Sequence, residues 1–289
     1  DLRRACIHAN EGIRLYNPDR DAAAAVTYGN HDAGVCARLF LARALALMGR
    51  TEAAACASED AVALARRLQH PFSLALAHVF ASAVAQTCRR SEHVRFHADA
   101  AATIARDQNF RLLFAWSSAF EAWADAETGV HEEGLGRIKK AISDARTTGS
   151  DQFVPHLAGL AADACLTRGN AVDGLAFVAD GLRVAARTGE RFWEAELIRL
   201  RGELQLLQNP ILYASEGEQS FREAIELARS QGAMLLALRA AVSLGRALSR
   251  SGRSAEASNL ISATAQDFDR QTGVDLDEAN GLLRVLKGH

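Results

Sequence analysis

Apolar residues in this chain recur at the i, i+3, i+4 spacing of an amphipathic helix, in long blocks separated by short breaks. The break Met48-Gly49-Arg50 sets the phase. Steps of 40 from Gly49 reach Arg89, Gly129, Gly169 and Asn209, and one step of 43 then reaches Gly252. Nine residues before each break stand Phe40, Phe80, Phe120, Leu160 and Leu200, with Ser243 the exception. Five before stand Ala44, Val84, Ala124, Ala164, Leu204 and Ala247, a second core column. Seven before, every residue is small: Ala42, Ser82, Ala122, Ala162, Gly202 and Gly245. Small residues return after the break at Ala61, Ala101, Ala141, Gly181 and Ala224, and again at Ala65, Ala105, Ala145, Ala185 and Ala228. Close helix-helix packing repeated unit after unit requires such columns. The pattern predicts an all-α solenoid of about six 40-residue helix pairs with terminal capping helices, one domain over residues 1–289.

The expected repeats are 31–70, 71–109, 110–149, 150–189, 190–232 and 233–273. Thr51 and Ser91 read as N-caps of second helices, and first helices are expected from 151 and 190. Residues 1–16 read as the second helix of a pair lacking its first, stopped by Asn17-Pro18-Asp19. A longer connection then ends in Tyr28-Gly29-Asn30. The segment Asp275–Leu286, with Leu276, Leu282, Leu283 and Leu286, reads as a cap on the last pair. The opening Asp-Leu-Arg-Arg falls inside a helical pattern, so the chain is expected to be a piece of a larger protein.

Two columns vary where the core columns do not. Thirteen before each break stand Cys36, Leu76, Trp116, His156, Glu196 and Arg239; six before stand Arg43, Ala83, Trp123, Asp163, Glu203 and Arg246. Seven residues apart, they share one face of the first helix of each pair. A face free to vary is not filling the core, and first helices line the concave side of such arrays. The candidate groove is therefore Arg43, Trp116, Trp123, His156, Asp163, Glu196, Arg199, Glu203, Arg239 and Arg246; ordinary solvated positions are the alternative. Trp116, Phe120 and Trp123 form a helical stripe in which Phe120 falls in a core column, while either tryptophan suits core or groove.

Composition narrows the function. Hydrophobic residues at 49% supply a continuous core, and only 4 Pro favour helix throughout. A net charge of −2 argues against a broad nucleic-acid footprint. Arg66-Arg67 and Arg89-Arg90 fall at helix ends, where cations suit the helix dipole. No apolar run approaches a membrane span. The five cysteines, without a CxxC pair, read as reduced thiols of a cytoplasmic protein. His93 and His97 have metal-ligand spacing, but no third ligand accompanies them, and a solvated pair is the favoured reading. There is no phosphate-binding glycine loop and no nucleophile elbow, so neither a cofactor nor catalysis is expected of this chain.

Three stretches carry a resemblance. They are Ile13-Arg14-Leu15-Tyr16-Asn17-Pro18 leading to Tyr28-Gly29-Asn30-His31-Asp32-Ala33-Gly34-Val35; Leu68-Gln69-His70-Pro71-Phe72-Ser73-Leu74; and the run Gly189-Glu190-Arg191-Phe192-Trp193-Glu194-Ala195-Glu196 through Leu204. The helix pairs resemble the tetratricopeptide class with a longer unit. The stretches resemble the C-terminal region of bacterial multidomain signalling proteins that carry an adenylate/guanylate-cyclase-like or transcription-regulator head and a STAND-type ATPase. That family usually shows Pro where Ala33 stands. The resemblance implies a tetratricopeptide-like α-α superhelix acting as a regulatory arm. Its expected partner is a protein or peptide, the ATPase or cyclase-like domains of the same protein among them. The alternative is a small-molecule inducer; nucleic acid and membrane are not expected as partners.

Overall fold

The computed structural model describes residues 1–22, 30–127, 133–268 and 271–287. The expected breaks at Tyr28-Gly29 and Gly129 lie outside these residues. Among the described residues the secondary structure is helical, without a strand. Helix α1 (Leu2–Leu15) and the short α2 (Pro18–Asp21) precede paired helices. These are α3 (Ala33–Leu47) with α4 (Thr51–Arg67), α5 (Pro71–Thr87) with α6 (Ser91–Asp107), and α7 (Arg111–Glu127) with α8 (Gly134–Thr147). They continue as α9 (Val154–Thr167) with α10 (Ala171–Thr188), α11 (Glu194–Gln208) with α12 (Ala214–Gln231), and α13 (Met234–Arg250) with α14 (Ser254–Ala265). A single helix, α15 (Val274–Lys287), follows. The chain forms two compact units, Asp1–Ser150 and Asp151–His289.

The turns have a finer period than the sequence columns suggested. Gly49, Gln69, Arg89, Asn109, Gly149, Gly169 and Gly189 all have positive φ, at steps of 20 apart from the position outside the described residues. Leading and trailing helices alike therefore end mostly in a left-handed residue, Asn209 after α11 and Gln266 after α14 being exceptions. The bonds repeat as well. Arg50 N donates to Leu45 O, Arg90 N to Ala85 O, Asn170 N to Cys165 O and Arg253 N to Leu248 O, each at 2.9 Å. This is the six-to-one closure of a Schellman turn, which satisfies carbonyls left open at the helix end. Because the turn residue is followed by one non-helical residue, the N-caps are Arg50 (ψ 65°) and Arg90 (ψ 78°), one position earlier than the expected Thr51 and Ser91.

Asn209, at the break of the fifth pair, is extended (φ −160°), and its Oδ1 accepts from Ile211 N and Leu212 N. Two further expectations are corrected. Helices α9 and α11 start at Val154 and Glu194, later than 151 and 190. Phe153 (φ 65°) breaks the first of these, its amide donating to the Glu190 carboxylate. Phe40, placed in a core column, is 49% exposed. Its ring meets Phe80 edge-on at 5.8 Å, but α3 has a leading helix of the row on one side only.

Within each unit, the leading helices of successive pairs pack side by side: α3 on α5 and α5 on α7; α9 on α11, α11 on α13 and α13 on α15. Each trailing helix packs on its own leading helix, and α4, α6, α10 and α12 also on the next. The small column seven before the breaks lies at the crossing within a pair. A Cβ on Gly202 would stand 2.7 Å from the Phe221 ring of α12. In unit 2, α15 closes the row, with Ala279, Leu283 and Leu286 buried in the terminal core beside Leu238, Leu244 and Phe268.

Candidate functional site

The two variable columns diverge between the units. In unit 1 they are mostly apolar: Ala83, Trp116 and Trp123 are interior, 1%, 2% and 4% exposed, while Cys36, Leu76 and Arg43 are partly buried. Neither indole is a surface anchor in this arrangement. Leading helices flanked by neighbours bury most of their circumference, so this face varies in shape as well as in solvation. Arg43 extends over the Phe80 ring, 5.5 Å from its centre.

In unit 2 the same columns hold a row of charges. The Arg199 guanidinium forks onto Glu196, with Nε–Oε2 3.0 Å and Nη2–Oε1 2.8 Å, and its Nη1 lies 3.4 Å from Glu203 Oε1. Ser243 Oγ, on the next leading helix, donates to Glu203 Oε1 at 2.6 Å. That explains the serine in an otherwise apolar column. Arg239 forks onto Asp275 of α15, Nε–Oδ1 2.6 Å and Nη2–Oδ2 2.9 Å. Arg246 pairs with Glu278. Burial opposes the charge of Arg199, but Glu196, Glu203 and Asp163 hold its pKa above the ordinary arginine value. Arg239 behaves alike: burial opposes, Asp275 and Glu196 outweigh it. The structure thus joins Glu196, Arg199 and Glu203 to Ser243, with Asp163 in electrostatic range. Sequence reasoning missed Ser243 and Asp275. The first was visible as the break in a core column; the second carried no column signal.

His156, also in the row, is 1% exposed. It stacks on Trp193 at 4.0 Å and on Phe153 at 6.1 Å, with Phe192 edge-on. Trp193 in turn lies against α9 where a Cβ on Gly159 would meet its Nε1 at 2.5 Å. The run from Gly189 to Leu204 therefore supplies Phe192 and Trp193 to this aromatic cluster and the whole of the Glu196–Arg199–Glu203 cluster. The other two resembling stretches meet in unit 1. Tyr16 Oη donates to Asp32 Oδ2 at 2.7 Å, Asp32 N donates to Ser73 Oγ at 2.9 Å, and Ser73 Oγ lies 2.9 Å from His70 Nδ1. Burial and the Asp32 carboxylate raise the Tyr16 pKa. These signature residues join α1 to α3 and α5.

His93 and His97 are not a solvated pair. His97 is 3% exposed and its Nδ1 lies 3.0 Å from Nδ1 of the buried His78, while its Nε2 faces Glu59 at 3.4 Å. Among the described residues, no group of three or more His, Cys, Asp or Glu is placed to hold a metal ion, and no helix is long and apolar enough to cross a membrane. Unit 1 also has an open crevice of about 500 Å³ lined by Phe72, Phe110, Arg111, Leu112 and the turn 148–150.

No family model matches the chain. An uncharacterized protein of Rhizobium meliloti is 29% identical over 237 residues, 79% of this chain and 22% of that protein. The chain thus spans about a fifth of that relative's length. Among solved structures, the apo form of RapI superposes with a TM-score of 0.60 at 11% identity, covering 92% of this chain and 97% of RapI. A Rap protein complexed with competence and sporulation factor gives 0.52 at 15%, over 88% and 62% of the two chains. A STAND protein with a tetratricopeptide repeat sensor from Pyrococcus horikoshii gives 0.50 at 12%, over 88% and 39%. The fold is tetratricopeptide-like. At these identities the fold is what is shared.

Proposed function

We propose that this chain is a non-catalytic interaction arm of a bacterial signalling protein. In this reading the leading-helix face of unit 2 docks a protein or peptide segment, the ATPase or head domain of the same protein among the candidates. One observation carries it: the columns that unit 1 fills with Cys36, Leu76, Trp116, Arg43, Ala83 and Trp123, a single charge among them, are filled in unit 2 with His156, Glu196, Arg239, Asp163, Glu203 and Arg246. The helix packing itself therefore does not require charge. Buried ion pairs return little net stability against apolar packing, so a row of them argues for recognition. Glu203 and Arg246, with side chains 25% and 44% exposed, are the members a partner would reach. The Rap protein complexed with its factor supports the reading as a precedent for binding on this fold.

The test is the melting temperature of the purified chain in host lysate divided by ultrafiltration. A ligand at ~100 times its Kd adds about 2.7 kcal/mol of stability. A rise with the macromolecular fraction, lost in Glu203→Gln, is the expected result. No rise, or one that Glu203→Gln leaves intact, counts against docking on this face. A second reading, a small-molecule inducer site, is favoured by the crevice beside Phe72 and Phe110, whose volume suits such ligands. A rise confined to the small-molecule fraction would select it.

A further inference from the structure

The crevice of unit 1 has apolar walls and a charge at one point. Phe72 and Phe110 stand at the entries of α5 and α7, and their rings meet edge-on at 5.1 Å to form a corner. Leu112 and Leu113 of α7 extend the apolar wall, and the turn 148–150 completes the lining. Among the lining residues only Arg111 is ionisable, so the crevice holds a cation and no carboxylate.

Packing does not account for Arg111. It opens α7, whose first turn contains no acid, so its charge lies at the positive end of the helix dipole, where a cation is unfavourable. Its guanidinium makes no hydrogen bond or ion pair with the described residues. Exposed arginines elsewhere, Arg187, Arg222 and Arg253 among them, meet carboxylates. A local rule broken without a structural gain points to a functional position.

The corner is also fixed in place. Asn109 is left-handed (φ 57°), Phe110 N donates to Ala105 O at 2.7 Å, and Pro71 sets the entry of α5. Gly149 is left-handed too (φ 80°), its amide donating to Arg146 O at 2.9 Å. A backbone held in this way lowers the ordering cost of binding.

Charge and shape together define the occupant. Apolar walls take an apolar body, a cation with no acid beside it takes an anion, and a guanidinium holds a carboxylate through two parallel hydrogen bonds. The volume of about 500 Å³ is that of a site for one small molecule. We propose that the crevice binds a small organic acid, with its apolar body against Phe72 and Phe110 and its carboxylate on Arg111. This assignment rests on the small-molecule reading of the crevice given above and names the ligand class.

Calorimetric titration of the full chain with naphthylacetate and with its uncharged amide separates head from body. The acid should bind with a Kd below about 1 mM, and the amide about tenfold more weakly. Arg111→Gln should remove that difference, and Arg111→Lys should keep part of it. Arg111 is exposed, so the helical circular-dichroism spectrum should stay unchanged in both. Phe72→Ser should weaken acid and amide alike. Equal binding of acid and amide overturns the assignment, as does acid binding that Arg111→Gln leaves intact. No binding of either up to about 1 mM overturns it as well. The small-molecule fraction of the lysate then tells the two failures apart: a rise in melting temperature spares the inducer reading, and no rise removes both.

Discussion

Replacing Asp275 by Ala tests the charged row most directly. The Arg239 and Asp275 side chains are 9% and 4% exposed, and their two hydrogen bonds of 2.6 and 2.9 Å join α13 to α15. Asp275→Ala leaves a guanidinium buried without that carboxylate, and breaking such a pair from one side costs about 3–5 kcal/mol. Glu196 still attracts Arg239 and Arg199 still repels it, so the lower end, about 3 kcal/mol, is the expected loss. With a urea slope of about 2 kcal/mol/M, the midpoint of unit 2 unfolding should fall by about 1.5 M. Circular dichroism at pH 7 reads that shift. The double variant Arg239→Met with Asp275→Leu removes both charges and should lie within about 1 kcal/mol of the wild type, because apolar replacements of a whole pair are often neutral. If the single variant loses less than about 1 kcal/mol, or the double variant is as unstable as the single, the pair is not the buried clamp described.

Two other outcomes follow from unit 1. Burial, then the neighbouring His97 and Arg66, lower His78 from the usual imidazole value to about 4; burial also lowers His97, with Glu59 opposing and His93 adding to the lowering. The unfolded chain then binds more protons than the folded one between about pH 4 and 6.5, so stability is full above that window and falls through it by about 3 kcal/mol for His78. Urea titrations at pH 7 and 4.5 should show this loss, and His78→Gln should flatten it; an equal slope in both proteins refutes the assignment. Trp116→Ala should cost about 3–5 kcal/mol, since the indole is buried among α7's neighbours. A loss below about 1 kcal/mol in chemical denaturation would return Trp116 to the surface.

The array was legible in the sequence because packing imposes a repeat. Where a trailing helix crosses its partner only a small residue fits, so Gly202 and its column announced the crossing before any coordinate did. The 20-residue step was harder to see, since Gln69, Arg89 and Asn109 take the left-handed turn without being glycine. The variable columns showed which residues to inspect, but could not tell solvent from a neighbouring helix: Trp116 and Glu203 share that face and differ in surroundings. Nor could helical periodicity pair His97 with His78, nineteen positions away on another helix. Asp275 met Arg239 only through tertiary contact, and Ser243 showed itself only as an anomaly.

The recurring left-handed closure also bears on how such a chain could have grown. Each closure resets the backbone, so what lies beyond it does not depend on how many residues the preceding turn used. The extra residues after Asn209 illustrate this: downstream of them Ala233 N donates to Ala228 O at 2.8 Å and Arg253 N to Leu248 O at 2.9 Å, as Phe110 N does to Ala105 O at 2.7 Å and Asn170 N to Cys165 O at 2.9 Å upstream. Recombination at these joints can add or delete a whole helix pair and leave every later face in phase, so the number of pairs is a quantity selection can alter without redesigning any of them.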